Sequence, residues 1–261
     1  MNIYSCVDNN NIDKIFVLFF SVFKNTNKKD KLKFYLITDD YPKIPIPDFL
    51  LDKLKIAVIS FDEYWNKILD NFNENFYKMS SWCKSNLNFS RFFVFDLFPE
   101  LNRVIYLDWD MIVQDDIFNL EESYNSDKII VAQLRNNLKV KDNILIRKNL
   151  NLAKLETLLD IKINSESFNS GFYILSSSHF NLSLISKTIN RLIDIQQQYN
   201  IFKFGTQVIM NVLFKELSFI DHLWNTSQIS NESKIIHWSG NNKPWKNNDN
   251  VWYSYKNELY N

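Results

Sequence analysis

Residues 103–113 read Arg-Val-Ile-Tyr-Leu-Asp-Trp-Asp-Met-Ile-Val, an apolar strand-like segment interrupted by two carboxylates. Strand side chains alternate between faces, so Asp108 and Asp110 share one side of the backbone and Trp109 takes the other. Burying two carboxylates beside apolar neighbours is costly unless a cation compensates their charge. Mg²⁺ and Mn²⁺ prefer oxygen ligands, often carboxylates completed by phosphate oxygens and water. An Asp-x-Asp pair alone is more often a strand end or a turn, so companions elsewhere must decide.

The composition predicts one large domain with an extensive core. The chain has 261 residues, of which 46% are hydrophobic and 16% aromatic, enough to bury a substantial interior. Thirty basic and 30 acidic residues balance to zero net charge, and no dense basic stripe indicates a nucleic-acid partner. The two cysteines, Cys6 and Cys83, form no metal or disulfide pattern, which favours a reducing compartment.

No segment predicts a membrane-spanning helix. The longest apolar run near the N-terminus covers residues 15–20 and continues at 22–23, far short of the roughly 20 residues needed to cross a bilayer. Acidic residues precede this run and no small-residue cleavage site follows it, so it lacks the layout of a signal peptide. The sequence therefore predicts a soluble, cytoplasmic protein.

Strand and helix patterns alternate along the chain. The predicted strands are residues 2–7, 33–38, 55–61, 104–107, 128–131 and 172–175, and the predicted helices are 12–24, 89–97, 182–197 and 207–214. Such alternation predicts an α/β domain with a largely parallel mixed sheet flanked by helices. Ligands of these sheets bind beyond the carboxyl ends of strands, where Asp8, Asp39 and Asp108 each follow an apolar strand.

We expect a single domain over residues 1–261. Residues 136–166 are polar and rich in Asn and Lys, which predicts an excursion with some helix outside the core. Long irregular insertions often form lids or binding loops, so this segment is the expected acceptor side. Residues 246–261 form a C-terminal tail with the aromatic residues Trp252, Tyr253 and Tyr255. These rings either cover the core, the preferred interpretation, or stack on an acceptor sugar.

Two later segments supply companions for the carboxylate pair. Residues 167–171, Ser-Phe-Asn-Ser-Gly, place Asn169 and one of three glycines before a strand, where Gly permits close backbone approach to a ligand. In residues 235–245, His237 follows two isoleucines, and a glycine and Lys243 come after it in one short loop. An imidazole can complete a Mn²⁺ shell, and a Lys ammonium can neutralise phosphate. Together these groups suit the stabilisation of a leaving diphosphate.

The motifs resemble glycosyltransferase family 8, the retaining nucleotide-sugar enzymes that include glycogenin and the bacterial lipooligosaccharide galactosyltransferases. Four blocks stand in the family's order and span nearly the whole chain. They are the opening strand with Asp8 and Asn10, Ser90-Arg91 through Asp108-Trp-Asp110, Asn169-Ser-Gly171, and His237-Trp-Ser-Gly240 with Lys243-Pro-Trp245. The resemblance implies a single GT-A-type nucleotide-sugar-binding domain.

The resemblance implies a UDP-sugar as donor. Asp8 and Asn10 would line the uracil and ribose pocket, with the backbone of Cys6 nearby. The residues implied to face the transferred sugar are Asn169, Ser170 and Gln207, the last close to the anomeric carbon. Because a glutamine is a poor nucleophile, we expect front-face attack by the acceptor hydroxyl rather than the carboxylate-linked intermediate of retaining glycosidases.

The resemblance also implies how UDP departs. The implied ligands of Mn²⁺, with Mg²⁺ as a second candidate, are Asp108, Asp110 and His237. Trp109, between the carboxylates, is a candidate contact of the donor, although core packing is the preferred interpretation for an aromatic residue of a strand. Gly240 and Lys243 would hold the phosphates of the leaving UDP. The implied catalytic residues are Gln207, Lys243 and Arg91, the last reaching the donor sugar or the diphosphate.

Three positions depart from the family pattern. The aromatic residue that often packs on uracil is Asn11 here, the acidic residue commonly preceding the glutamine is Thr206, and another acidic position after the strand at 128–131 aligns with Arg135. Carboxylates at the last two positions commonly hold sugar hydroxyls. Their loss leaves the donor sugar, with glucose and galactose as the expected ones, and the strength of the activity open.

Three functions follow from these observations. The first is a Mn²⁺-dependent retaining hexosyltransferase whose acceptor, a hydroxyl on a glycan, a protein or a lipid-linked sugar, is not predicted. The second is a UDP-sugar-binding protein with weak or no transferase activity, which Thr206 and Arg135 would permit. The third, a sugar nucleotidyltransferase, lacks its glycine-rich phosphate loop because the chain has only three glycines. Self-glycosylation on a tyrosine and a homodimer both stay open.

Overall fold

The computed structural model describes residues 1–59, 87–146, 151–203 and 205–261. The strands are β1 (Asn2–Cys6), β2 (Lys33–Thr38), β3 (Leu54–Val58), β4 (Arg103–Leu107), β5 (Met111–Val113), β6 (Ile129–Ala132), β7 (Phe172–Ser176), β8 (Leu217–Ile220) and β9 (Ile235–His237). The α-helices are α1 (Ile12–Lys24), α2 (Leu87–Ser90), α3 (Val94–Leu97), α4 (Glu121–Asn125), α5 (Val140–Asn143), α6 (Leu152–Leu159), α7 (Leu182–Tyr199), α8 (Gly205–Leu213) and α9 (Asn250–Tyr260).

Seven of the described strands form one mixed sheet in the order β3-β2-β1-β4-β7-β6-β8. Neighbouring strands are parallel except on the two sides of β7, which runs against β4 and β6. The predicted largely parallel α/β sheet is therefore confirmed. Because β7 is reversed, its amino-terminal end lies where β4 ends, and Leu107 pairs with Phe172. The residues that follow β1 and β4 thus meet those that precede β7.

The two faces of the sheet carry separate apolar layers. Alternate residues of the central strands point to opposite faces, as the pleat requires. Tyr4, Tyr106 and Tyr173 lie in one layer, beneath which α7 packs its buried isoleucines and leucines. Ile105 and Phe172 lie in the other, which α1 covers with an almost wholly buried apolar surface. Side chains repeat about every 2 residues in a strand and every 3.6 residues in a helix. These two periods are the patterns that predicted the strands and helices from the sequence.

A second, two-stranded sheet pairs β5 with β9 in antiparallel register. Met111 lies opposite His237, so the strand that follows the carboxylate pair is bonded to the strand that ends in the histidine. Neither this pairing nor β8 was predicted, because β5 and β9 have only three residues each, too few to show alternation, and the four residues of β8 are only partly buried. This small sheet therefore holds the carboxylate pair, which precedes β5, close to His237 at the end of β9.

The segment predicted as one helix over residues 89–97 is interrupted. Helix α2 ends at Ser90, a 3₁₀ turn follows over Arg91–Phe93, and α3 begins at Val94. The prediction of a continuous helix is therefore wrong, since apolar spacing over so few residues cannot distinguish an α-helix from a 3₁₀ turn. The break places the interrupting residue Arg91 in the interior, where it is only 5% exposed.

Residues 136–166 contain α5 and α6, as expected, but they do not lie outside the core. Five buried residues of this segment belong to the layer that contains α7, namely Val140, Ile144, Leu145, Leu155 and Leu159. Their apolar positions are spread through a polar sequence, which is why composition alone suggested an excursion. Part of the interval, residues 147–150, lies outside the described residues. Acceptor recognition by this segment stays a prediction.

The C-terminal tail is a helix that covers the core. Trp252 is fully buried and Tyr255 is 9% exposed, and both pack against Val17 and Ile112. Asp249 begins α9 by accepting bonds from the backbone N–H groups of Val251 and Trp252, a standard N-cap. The preferred interpretation of these aromatic residues is confirmed for Trp252 and Tyr255.

No helix among the described residues is long and apolar enough to cross a membrane.

Candidate functional site

A cleft of about 670 Å³ opens at the carboxyl edge of the sheet. All but one of the predicted site residues line it, namely Cys6, Asp8, Arg91, Asp108, Trp109, Asp110, Asn169, Ser170, Gln207, His237, Gly240 and Lys243. The remaining one, Asn10, is exposed and is not part of the lining that the structure describes. Its backbone N–H donates to Asp8 Oδ1 at 3.1 Å, and its contact with a nucleotide stays a prediction.

Asp108 is held from two sides at the end of β4. Tyr106 Oη donates to Asp108 Oδ1 at 2.6 Å, and Arg91 Nη2 donates to the same oxygen at 3.3 Å. The other oxygen, Oδ2, lies 3.8 Å from His237 Nε2. One carboxylate oxygen is thus tethered by the protein, while the second faces the imidazole.

Asp110 is nearly enclosed, with 3% of the residue exposed. Its Oδ2 accepts a hydrogen bond from the Lys243 ammonium, and its Oδ1 lies 3.3 Å from His237 Nε2. Burial acts to raise the pKa of Asp110, but His237 and Lys243 together lower it to about 2. The carboxylate is therefore ionised at neutral pH although it lies in the interior.

His237 completes a group of three side chains that can hold a metal ion. Nδ1 lies 2.8 Å from Asn225 Oδ1, which leaves Nε2 directed toward the two carboxylates. One ligand atom from each of Asp108, Asp110 and His237 lies within 4.8 Å of the other two. Ligands about 2.0–2.2 Å from a single ion are roughly 3–4.4 Å apart, a range that contains both measured imidazole–carboxylate distances.

Gly171 keeps the space between these ligands open. A Cβ at this position would lie 2.4 Å from His237 Cε1 and 2.9 Å from Asp108 Oδ2. Its carbonyl accepts the backbone N–H of Asp108 at 2.9 Å, which ties the start of β7 to the end of β4. Two carboxylates with an imidazole suit a first-row transition ion such as Mn²⁺ better than Mg²⁺, which prefers oxygen alone. The residues present therefore fit a divalent cation.

Arg91 is a buried cation beside the carboxylates. Its Nε donates to the Asn88 carbonyl and its Nη1 to the Ser170 carbonyl, both at 3.0 Å. The guanidinium also lies 4.5 Å from the centre of the Tyr106 ring, an attractive cation–π contact. Burial acts to lower the pKa of Arg91, but Tyr106 and Asp108 raise it overall, so the group stays charged.

Asn169, Ser170 and Gln207 form a hydrogen-bonded group beside Asp108 and His237. Gln207 Oε1 accepts from Asn169 Nδ2 at 3.2 Å and from the Ser170 N–H at 3.5 Å. Because both bonds use the oxygen, the amide NH₂ is the end of Gln207 that remains for a ligand. Asn211, one turn later on α8, supports the group by bonding the backbone of Phe168 in both directions.

The three residues that depart from the family pattern lie at different places relative to the cleft. Thr206 lines the cleft and is 8% exposed. Asn11 Nδ2 donates to both carboxylate oxygens of Asp8, at 2.9 and 2.8 Å. Arg135 is exposed and outside the described lining, whereas Leu134 beside it is part of that lining. The cleft wall at this point is therefore apolar.

Trp109 packs mainly against another aromatic residue. Its ring stacks on Trp245 with centroids 4.9 Å apart and planes 21° from parallel. The Lys243 ammonium lies 5.7 Å from the Trp109 ring centre. Trp109 thus supports the loop that carries Lys243, and its contact with a donor stays a prediction.

Several residues at the site carry no signal that the sequence patterns revealed. Tyr106, Asn143 and Asn225 either line the cleft or bond its members. Tyr106 has the pattern of an apolar strand residue, but a tyrosine two positions before an aspartate on one strand face can reach its carboxylate. No local pattern marks Asn225, because its partners lie in β9 and before β7.

The Cys6 thiol is expected to resist alkylation. Burial raises the pKa of Cys6 to about 12, so at pH 8 its thiolate fraction should be about 10³-fold below that of an exposed cysteine. The unfolded thiol ionises near pH 9, so this group lowers stability as pH rises from about 9 toward 12. Mass spectrometry of the Cys6 peptide after iodoacetamide treatment, native against denatured, checks this. Equal labelling in both states would contradict it.

Comparison with known proteins agrees with the site. A sequence profile for Glycosyl transferase family 8 matches residues 2–249. Glycosyltransferase 8 domain-containing protein 1 of Xenopus laevis is 23% identical over 253 residues, covering 85% of this chain and 68% of that protein. Probable galacturonosyltransferase-like 2 of Arabidopsis thaliana is 24% identical over 179 residues, covering 62% of this chain and 52% of the plant protein.

Solved structures share the fold. The galactosyltransferase LgtC, crystallised with donor and acceptor sugar analogs, has a TM-score of 0.68 at 15% identity and covers 100% of this chain and 97% of its own. The bifunctional glycosyltransferase WbbM has a TM-score of 0.67 at 15% identity, over 99% of this chain and 50% of its own. This chain therefore spans half of the WbbM chain. The predicted GT-A-type sheet is confirmed.

Proposed function

Because the chain belongs to glycosyl transferase family 8 and is thus a glycosyltransferase, we propose that it transfers a hexose from a UDP-sugar to an acceptor hydroxyl, with retention of configuration and with a divalent cation, Mn²⁺, bound at the site. One observation carries this proposal. Asp108, Asp110 and His237 converge in a cleft that also contains Lys243 and the sugar-facing group around Gln207.

The leaving diphosphate needs positive charge. When bound by Asp108, Asp110 and His237, the cation would supply a Lewis acid that neutralises the departing phosphates. Lys243 adds a second positive charge, which is held in place because its ammonium donates to Asp110 and to the Trp238 carbonyl. An ammonium has three N–H donors, and within the described residues no bond is seen for the third. We assign it to a phosphate oxygen of UDP.

The sugar end of the cleft favours attack from the side of the leaving group. Gln207 Oε1 already accepts two hydrogen bonds, so its oxygen is not available to attack the anomeric carbon. The acceptor oxygen would form its bond to that carbon as the carbon–phosphate oxygen bond breaks. The departing phosphate would take the acceptor proton. Gln207 NH₂ and Asn169 would hold the sugar in place by hydrogen bonds.

We propose that the buried Arg91 stabilises the negative charge of the diphosphate. Its guanidinium is anchored to two carbonyls and to Asp108, and so it is fixed before any ligand binds. A preorganised buried charge of this kind stabilises developing negative charge without a reorganisation cost. It also keeps Asp108 in the orientation that faces His237.

The donor sugar and the acceptor are proposed from the residues that line the cleft. Glucose and galactose are the sugars we propose, and the uncharged residues Leu134, Asn143 and Thr206 line the cleft in which we place them. We place the acceptor beside residues 136–166, since Leu138 and Asn143 of this segment line the cleft. Thr206, where an acidic residue is common in the family, favours a second candidate, a UDP-sugar-binding protein with weak or no transferase activity.

Ligand-dependent melting tests the binding part of the proposal. UDP together with Mn²⁺, at about 100 times Kd, should raise Tm by roughly 5–10 °C, whereas UDP alone or Mn²⁺ alone should raise it less. UDP-glucose and UDP-galactose, each with Mn²⁺, rank the donor sugars. A Tm that responds equally to UDP with and without Mn²⁺ would overturn metal-dependent binding.

Release of UDP then separates the two candidates. The transferase should release UDP from its preferred donor in a Mn²⁺-dependent manner when candidate glycan acceptors are added. Mn²⁺-dependent donor binding without UDP release would favour the binding protein. A steady rate of UDP release that EDTA abolishes would exclude the candidate function of a binding protein without transferase activity.

A further inference from the structure

We propose that Asn225 is a positioning residue that orients the metal ligand His237 and couples it to the sugar-facing Asn169. This inference rests on the proposed function, because it concerns the same cation and the same donor. Asn225 lies behind the site and outside the described cleft lining, so its action would be exerted through its two partners.

The side chain of Asn225 bridges two parts of the site. Its Oδ1 lies 2.8 Å from His237 Nδ1. Its Nδ2 donates to Asn169 Oδ1 at 3.3 Å and to the Asn169 carbonyl at 3.4 Å. The amide therefore contacts both the metal side and the sugar side of the cleft.

The backbone around Asn225 is well anchored. Trp224, immediately before it, is buried, and Thr226, immediately after it, exchanges backbone hydrogen bonds with β9, accepting from His237 at 2.8 Å and donating to Ile235 at 3.1 Å. Asn225 is thus carried by a segment paired with the strand that bears His237. The distance between the two side chains is set by that pairing.

One backbone N–H determines the direction of every bond in this chain of amides. The Gly171 N–H donates to Asn169 Oδ1 at 2.9 Å, so that atom must be the oxygen. The Asn169 NH₂ then faces Gln207 Oε1, and the Asn225 group facing Asn169 Oδ1 must be its NH₂. A flipped Asn225 would place two oxygens against each other.

This order determines which nitrogen of His237 carries the proton. Asn225 Oδ1 can only accept, so His237 Nδ1 must donate, and in the neutral imidazole Nε2 then carries the lone pair. That lone pair lies 3.3 Å from Asp110 Oδ1 and 3.8 Å from Asp108 Oδ2. With the neutral imidazole, three acceptors face one another and repel unless a metal ion or a second proton on His237 lies between them. Asn225 thereby prepares the site for a metal ion before the ion arrives.

The same amide connects the ion to the sugar. From His237 the bonds run through Asn225 to Asn169 and then to Gln207. A change in the position of His237 is transmitted to the two amides that face the transferred sugar. Outer partners of metal-binding histidines typically change metal affinity or activity by 10–100-fold when removed.

Two substitutions separate the two contacts of Asn225. Asn225→Ala removes both, and we expect the Kd for Mn²⁺, measured by electron paramagnetic resonance, to rise about 10–100-fold. Asn225→Asp keeps an oxygen for His237 Nδ1 but turns a second oxygen toward Asn169 Oδ1. We expect this variant to bind Mn²⁺ within about threefold of the unsubstituted protein, since carboxylates commonly support metal-binding histidines, and to lose most donor turnover. Asn190→Ala, an exposed asparagine on α7, is the matched control.

A readout without metal tests the orientation directly. In the ¹⁵N-histidine-labelled, metal-free protein at pH 8, long-range ¹H–¹⁵N spectra should show His237 protonated on Nδ1. In Asn225→Ala the population protonated on Nε2 should increase, because that N–H can then donate to Asp110. Circular dichroism and Tm confirm that each variant is folded.

The outcomes distinguish this inference from the function beneath it. Unsubstituted protein that binds no Mn²⁺ would overturn the metal-dependent function and the inference together. If that protein binds Mn²⁺ but Asn225→Ala binds it equally well with an unchanged His237 spectrum, the inference alone is wrong. Full turnover by Asn225→Asp would show that the contact with Asn169 has no part in positioning the sugar.

Discussion

Asp110→Asn is expected to lower kcat/KM for transfer from the UDP-sugar by about 10³-fold, the size of effect seen when a fixed electrostatic group is removed from an active site. The substitution preserves the shape of a nearly enclosed side chain but removes its charge. A neutral amide is a poor ligand for a hard cation, and Lys243 loses its anionic partner. Steady-state UDP release and a Mn²⁺ titration of the same preparation measure both effects.

The matched control is Asp52→Asn, an exposed aspartate in the turn before β3. It changes net charge by the same amount but should leave the rate and the Mn²⁺ affinity unchanged. If Asp110→Asn instead retains Mn²⁺ affinity and turnover within a factor of three, Asp110 is a structural partner of Lys243 and not a metal ligand.

Gly171→Ala is expected to abolish Mn²⁺ binding while costing about 1–3 kcal/mol in the free energy of unfolding. The added methyl would lie 2.4 Å from His237 Cε1 and 2.9 Å from both Asn169 Oδ1 and Asp108 Oδ2. These neighbours must move apart, and they are two of the three metal ligands and the amide that faces the sugar. Chemical denaturation and Mn²⁺ titration measure the two losses separately.

Gly240→Ala provides the comparison, since it adds the same methyl group at a glycine that lines the cleft. Its Cβ would meet no atom within 4 Å, but the backbone φ is +86°, which disfavours any residue with a side chain by about 1–2 kcal/mol. We expect reduced stability with Mn²⁺ affinity retained. Equal Mn²⁺ affinity in Gly171→Ala and the unsubstituted protein would contradict the proposed cradle.

The chemistry of the carboxylate pair could be predicted because it depends on neighbours in sequence. Asp108 and Asp110 are two residues apart at a strand end, so their common orientation follows from the pleat. Individual helices and strands were predictable for the same reason. Helix α1 and strand β2 have the bounds that periodicity indicated. The roles of His237 and Lys243 could be predicted from their residue types within one short loop together with the order of the motifs.

Other features could not be predicted from periodicity. The interruption at Arg91 and the buried positions in residues 136–166 depend on partners elsewhere in the fold. Arg91 can be buried because its guanidinium donates to the carbonyls of Asn88 and Ser170, the second of which lies 79 residues away. Such a residue looks like a surface cation until its partners are known.

The sequence by itself determined the alternation of strands and helices, the pair of carboxylates on one strand face and the set of residue types that a diphosphate site requires. Only the tertiary structure decided how these groups act on one another. Lys243 meets Asp110 across 133 residues, and the bonds that orient His237 pass through Asn225 to residues before β7. The physical reason is the range of the forces. Backbone periodicity is set within a few residues, whereas the direction of a hydrogen bond depends on whichever donor or acceptor the fold brings opposite it.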